Sequence, residues 1–138
     1  MDKKVDIHKA GGILIQNRKF LISRSKGKNS FISPGGKLEP GETPGEALVR
    51  ELDEEFNVEI ELKDLEKFGT FYAPAAEQED RYLQMDIFLV NQWKGKIQAN
   101  NEIEEILWIN SSIPDQIKLG SVFQHEVLPR LKYEGLID

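Results

Sequence analysis

The chain has 138 residues, 39% hydrophobic and 30% charged, a balance that fits one soluble globular domain over residues 1–138 and excludes wholesale disorder. It contains no cysteine, which excludes disulfides, thiolate metal sites and a cysteine nucleophile. Its formal net charge of −6 makes it a poor binder of long nucleic acid and repels small anions unless a cation stands between the two.

The first ten residues, MDKKVDIHKA, lack an apolar core and predict no signal peptide. No run approaches the ~18 apolar residues of a membrane span, so no membrane partner and a cytoplasmic location are expected. Ala10 to Ile15 (AGGILI) is the first strand-like run. Asn17-Arg18-Lys19 signals a turn, and Lys19 to Ser23 a second strand. Ser25 to Ser30 reads as a loop. Phe31-Ile32 starts a short strand that Pro34 must end. A loop rich in Gly and Pro is predicted over Gly35 to Thr43. A helix follows from about Pro44 to Phe56, with Thr43 as N-cap, Glu46 completing a capping box, and Pro44 at the first helical position. Leu48, Leu52 and Phe56 form its apolar stripe. Strands are predicted near Lys67–Tyr72, Tyr82–Trp93 and Ile103–Ile109, with a mobile polar loop over Ala73–Arg81. Ser121 to Tyr133 reads as a second amphipathic helix in which Pro129 forces a kink or a late start. Strands with two separated helices predict a mixed sheet covered on both sides.

Glu51, Glu54 and Glu55 fall at i, i+3 and i+4, so three carboxylates gather on one side of the first helix, next to its apolar stripe. Like charges at this spacing repel by a few tenths of a kcal/mol per pair. A bound Mg2+ or Mn2+ reverses that sign, since both take oxygen ligands. A solvated acidic face is the alternative at this point. The preceding loop bears on the choice: Gly35, Gly36 and Gly41 allow close approach to a ligand, and Arg50 can hold a carboxylate by a bidentate contact.

The stretch GKLEPGETPGEALVRELDEEFNV, Gly36 to Val58, resembles the signature of the Nudix hydrolases, with Gly36, Glu42, Arg50, Glu51, Leu52, Glu54, Glu55 and Val58 in register. Ser33-Pro34-Gly35-Gly36-Lys37 before it is also typical of that family. Asn57 stands where the family has a second glycine. Asn is the next best residue for a left-handed helix end, so Asn57 reads as a tolerated C-cap. The resemblance implies an α/β/α sandwich with a mixed β-sheet between helices. It implies hydrolysis of a pyrophosphate bond in a nucleoside diphosphate linked to another group, with a nucleoside triphosphate as first expectation and Mg2+ (or Mn2+) as cofactor. Glu51, Glu54, Glu55 and the carbonyl of Gly36 would hold metal, and Arg50 would position carboxylates. Glu51 and Glu54 are expected to be catalytic.

The family places a further acidic residue late in the chain, about six residues before an aromatic. Glu102 stands six before Trp108 and is expected as base and metal ligand, with Glu105 as second choice; the alternative is a solvated turn. Arg24, Gly35, Gly36, Lys37 and Gln124 are the expected substrate-binding residues, Gln124 because its amide offers both donor and acceptor to a base. Phe71, Tyr72 and Trp108 are expected mainly in the core, and His8 and His125 as structural. Nucleotide-sugar or dinucleoside-polyphosphate hydrolysis, or a non-catalytic nucleotide sensor of the same fold, are the competing readings. The expected partner is a small nucleotide-type substrate, with homodimer formation left open.

Overall fold

A computed structural model describes residues 4–75 and 78–138. In chain order the elements are β1 (Ile7–Ile13), β2 (Ile15–Gln16), β3 (Lys19–Ser25), β4 (Gly35–Lys37), α1 (Pro44–Phe56), β5 (Leu65–Ala75), β6 (Gln78–Val90), β7 (Ile103–Ile109) and α2 (Leu128–Tyr133), the last preceded by a wide π-turn over Phe123–Val127. Four strands form a mixed sheet in the order β4-β1-β6-β5, in which only β1 and β6 run parallel. A smaller antiparallel sheet, β2-β3-β7, stands beside it.

Period-two alternation divides the core between two layers. From β1 and β3, Ile7, Ile13, Phe20 and Ile22 pack with Phe123, Val127 and Leu131 of the C-terminal helical run. Their strand neighbours Ala10, Leu14 and Leu21 turn the other way, onto Leu48, Leu52 and Phe56 of α1. This is the expected α/β/α sandwich. No helix among the described residues is long and apolar enough to cross a membrane.

The ends of α1 follow local chemistry. The Glu46 amide donates to Thr43 Oγ1 at 3.2 Å and the Thr43 amide to Glu46 Oε1 at 2.9 Å, closing the capping box. Asn57 ends the helix at φ 61°, ψ 30°, the left-handed conformation required of a C-cap, and its side chain donates to the Lys96 carbonyl at 3.1 Å.

Three expectations are corrected. Gly35 to Lys37 is strand, not loop: it pairs with β1 through Lys9↔Lys37, Ala10↔Gly36 and Gly11↔Gly35. Most of the loop expected over Ala73–Arg81 is a β5–β6 hairpin, with Ala73↔Leu83 and Pro74↔Tyr82 in register and the rings of Tyr72 and Tyr82 stacked 6.1 Å apart. Pro74 is tolerated because β5 is an edge strand; residues 76 and 77 of that expected loop lie outside the described residues. Tyr72 is 53% exposed on this hairpin, while Phe71 and Trp108 pack against the two core layers as expected.

The C-terminal helix carries the irregularity that Pro129 predicts. Leu128 donates its amide to the Phe123 carbonyl, a five-residue turn, and Pro129 sits in the first turn of α2 where its missing N–H does no harm. Of the two histidines, His8 donates its Nε2–H to Asp86 at 2.5 Å and His125 is exposed. Asp86 is 4% exposed and also accepts from Lys67 Nζ at 2.5 Å and Thr70 Oγ1 at 2.6 Å.

Candidate active site

One guanidinium organises the carboxylates of α1. Arg50 Nε and Nη2 donate to the two oxygens of Glu42 at 2.8 and 2.9 Å, a fork-to-fork contact. Its Nη1 reaches Glu51 at 2.9 Å and Glu54 at 3.4 Å, and Nη2 also donates to the Lys37 carbonyl at 3.1 Å. The Arg50 guanidinium, helped by the Glu39 amide, holds the Glu42 carboxyl down at about 2. With Glu39 also 3.6 Å from Nη1, one cation thus faces four carboxylates, and negative charge remains in excess.

The other acids of the helix are less well compensated. Burial pushes the Glu51 carboxyl up, and the contact with Arg50 offsets this only in part. Burial also pushes Glu55 up, against the backbone N–H of Glu102, which donates to it at 3.2 Å. Asn101 Nδ2 donates to the Glu54 carbonyl at 2.9 Å. The turn before β7 is therefore docked on the last turn of α1, and Glu102 stands beside Glu55.

β4 closes the site from the sheet side. A Cβ at Gly36 would lie 2.6 Å from Glu51 Cδ, so the carboxyl packs on a bare Cα. A Cβ at Gly35, where φ is +152°, would lie 2.0 Å from the Ala10 carbonyl oxygen. The two glycines let the strand lie against both β1 and α1.

The donors on this face are all oxygens: the carboxylates of Glu51, Glu54 and Glu55, with the Lys37 carbonyl beside them on Arg50. That set suits a hard divalent cation. Among the described residues no three acidic or histidine side chains converge tightly enough to enclose an ion as they stand. Glu51 is turned to Arg50 and Glu55 to the Glu102 amide. The fit rests on donor type, shared face and surplus negative charge.

The structure brings Gly36, Arg50, Glu51, Glu54, Glu55 and Glu102 to one place. Lys37 joins them through its carbonyl, and its side chain lines a neighbouring cavity of about 230 Å³. That cavity has an apolar floor of Ile7, Ile32, Leu83, Met85, Val122 and Phe123, and lysines 9, 28 and 37 on its wall. Arg24 and Glu105 do not join the group. They pair with each other at 3.4 Å across β3 and β7 and line a separate cleft with Phe31 and Trp108. Gln124 is exposed and does not line the cavity. Sequence reasoning leaves two residues without a role: Glu42, which anchors Arg50, and Lys9, whose place on the wall is foreshadowed only by strand parity with Ile7.

The NUDIX domain family model matches residues 6–131. The chain is 32% identical over 102 residues to an 8-oxo-dGTP diphosphatase of Proteus vulgaris, covering 70% of this chain and 86% of that protein. It is 35% identical over 98 residues to an 8-oxo-dGTP diphosphatase of Escherichia coli (strain K12), covering 68% and 71%. A crystal structure of a MutT NUDIX hydrolase from Burkholderia pseudomallei superposes with a TM-score of 0.70 at 16% identity, over 81% of this chain and 89% of that one, a likeness of fold. Nudix hydrolases split pyrophosphate linkages of nucleotide-type compounds and generally need a divalent metal. With all but a few terminal residues inside the family match, the chain belongs to this family and is a Nudix pyrophosphohydrolase.

Proposed function

We propose that this chain, acting as a single domain over residues 1–138, hydrolyses nucleoside triphosphates at a pyrophosphate bond with Mg2+ as cofactor and Mn2+ as substitute. The observation that carries the reading is the Arg50-centred cluster, which holds Glu51 and Glu54 beside Gly36 at the edge of a cavity with an apolar floor. The names of the curated relatives, 8-oxo-dGTP diphosphatases, support a triphosphate substrate.

Glu51, Glu54, Glu55 and the Gly36 carbonyl would hold the metal, with Glu102 as a further ligand. A divalent ion there supplies charge neutralisation of the phosphates and a lower pKa for a nearby water. Arg50 keeps the carboxylates in position. Water attacks one phosphorus, the bond from that phosphorus to the bridging oxygen breaks, and the base takes the water proton. Glu102 is the first choice as base because its turn is docked on Glu55, and half-buried Glu51, with its raised pKa, also suits that task. Glu105 is the second choice, held by Arg24. Lys37, Gly35 and Gly36 would face phosphate, and Arg24 would reach it only from the separate cleft where it pairs with Glu105. Gln124 would meet a base only from outside the cavity.

The retained Glu51, Glu54 and Glu55 disfavour a sensor without chemistry. The test is a panel of nucleoside triphosphates, nucleotide sugars and dinucleoside polyphosphates incubated with MgCl2 in 18O-labelled water. Metal-dependent turnover of triphosphates is expected, with label in one product identifying the phosphorus attacked. Tight nucleotide binding without turnover of any compound would sink the proposal.

A further inference from the structure

The cavity wall holds a lysine that the hydrolytic chemistry does not use. Lys9 lies on β1 directly opposite Lys37 of β4 and beside Met85 of β6. Like charges directly opposite on a sheet destabilise it. Among the described residues neither ammonium has a hydrogen-bond or ion-pair partner. Lys67 is a useful contrast, because its ammonium is held by Asp86 at 2.5 Å. Burial pushes the Lys9 ammonium down from its usual pKa, Lys37 and Lys28 push it further, and Glu51 opposes them.

The surroundings indicate which part of a substrate meets it. Ile7, Leu83 and Met85 flank Lys9 on the cavity floor, which suits the flat apolar faces of a base rather than a phosphate chain. Lys37 sits on the side of the carboxylates, where its own carbonyl binds Arg50. An ammonium has three donors and no acceptor. A base edge carrying carbonyl oxygens satisfies it. An amino group at the equivalent position, N6 of adenine for O6 of guanine or N4 of cytosine for O4 of uracil, sets donor against donor there.

We propose that Lys9 is a specificity-determining residue that selects nucleotides whose base presents a carbonyl oxygen, O6 of guanine or O4 of uracil, over those that present an amino group at that position, as adenine and cytosine do. This rests on the reading of the neighbouring carboxylate cluster as the hydrolytic site. Lysine's pairing with the O6 and N7 acceptors of guanine is the same chemistry.

The test is equilibrium binding of GMP, UMP, AMP and CMP, which contain no anhydride to cut, to the wild-type chain and to Lys9→Met and Lys9→Arg. The wild type is expected to bind GMP and UMP roughly tenfold more tightly than AMP and CMP. Lys9→Met should erase that ratio while keeping its AMP affinity, and Lys9→Arg should preserve it. Equal weakening of all four ligands in Lys9→Met would make Lys9 a phosphate contact and overturn the proposal, as would no discrimination, or no binding, by the wild type. Turnover of the four triphosphates separates this inference from the activity. Equal kcat/KM for all four overturns the role of Lys9 and leaves the hydrolase reading standing. Selective binding without turnover does the reverse.

Discussion

Two polar clusters in this molecule are built on opposite charge balances. Around Asp86 a single carboxylate accepts from His8, Lys67 and Thr70 and is shut away from solvent. Around Arg50 a single guanidinium faces Glu39, Glu42, Glu51 and Glu54, with Glu55 one turn away. The first has donors to spare and is complete within the chain. The second has surplus negative charge and accepts a cation. The ratio of donors to acceptors, more than the presence of acids, separates a structural cluster from a functional one.

The contrast can be broken most sharply by removing one carboxylate from each. Glu54→Gln and Glu55→Gln are expected to lower metal-dependent turnover by about 10²–10⁴-fold, the range over which a lost catalytic group is felt, with circular dichroism and melting temperature little changed. Asp86→Ala should do the opposite. It leaves Lys67 and His8 facing an uncompensated site, destabilises the fold by about 3 kcal/mol in urea titration, and leaves kcat of the folded fraction intact. A large loss of turnover in Asp86→Ala at full stability would erase the distinction.

Acid sharpens the same comparison. Burial raises the Asp86 pKa, but the hydrogen bonds from His8, Lys67 and Thr70 outweigh it and hold the group at about 2. A depressed carboxyl contributes stability above its unfolded value of ~3.9, and that contribution fades as pH falls towards 2. About 2 kcal/mol should therefore be lost between pH 5 and pH 2 in the wild type. Asp86→Ala should lack that component of the loss.

A smaller effect is expected at Glu42→Gln. It weakens the bidentate grip on Arg50 without touching a proposed metal ligand, and metal affinity measured by titration should fall about 10–100-fold. Smallest of all is Asn57→Ala, which forces a Cβ-branched-free but still L-configured residue into the left-handed region. It should cost about 1 kcal/mol in thermal unfolding with turnover unaffected; an equal change in kcat would mean that the helix end communicates with the site.

The parts of the fold legible in the sequence are those set by neighbours along the chain. Thr43, Pro44, Glu46 and Asn57 bound α1 because capping is decided within a few residues. The carboxylates of α1 are legible for the same reason, since helix spacing alone places them together. β4 is different. Gly35 to Lys37 carries no strand propensity and becomes a strand only by pairing with β1, more than 20 residues away. The loop expected over Ala73–Arg81 is likewise drawn into a hairpin by long-range β5–β6 pairing, with the Tyr72 and Tyr82 rings stacked across it. Gln124, expected at a base for its amide chemistry, is placed by backbone geometry instead. The five-residue turn places Leu128 over Phe123 and turns Gln124 outward, which a 3.6-residue period does not foresee.

β4 has a further consequence. It is three residues long, lies at the edge of the mixed sheet, and is bonded to β1 alone among the strands. Such a segment belongs to the low end of the local-opening scale, far below the global unfolding free energy. Its Lys37 carbonyl nevertheless binds Arg50 of the carboxylate cluster, and its Gly36 packs on Glu51. The amides of β4 should therefore exchange with solvent deuterium early in the free protein and become protected when metal and nucleotide bind, so that part of the binding free energy is used to order the strand that completes the site.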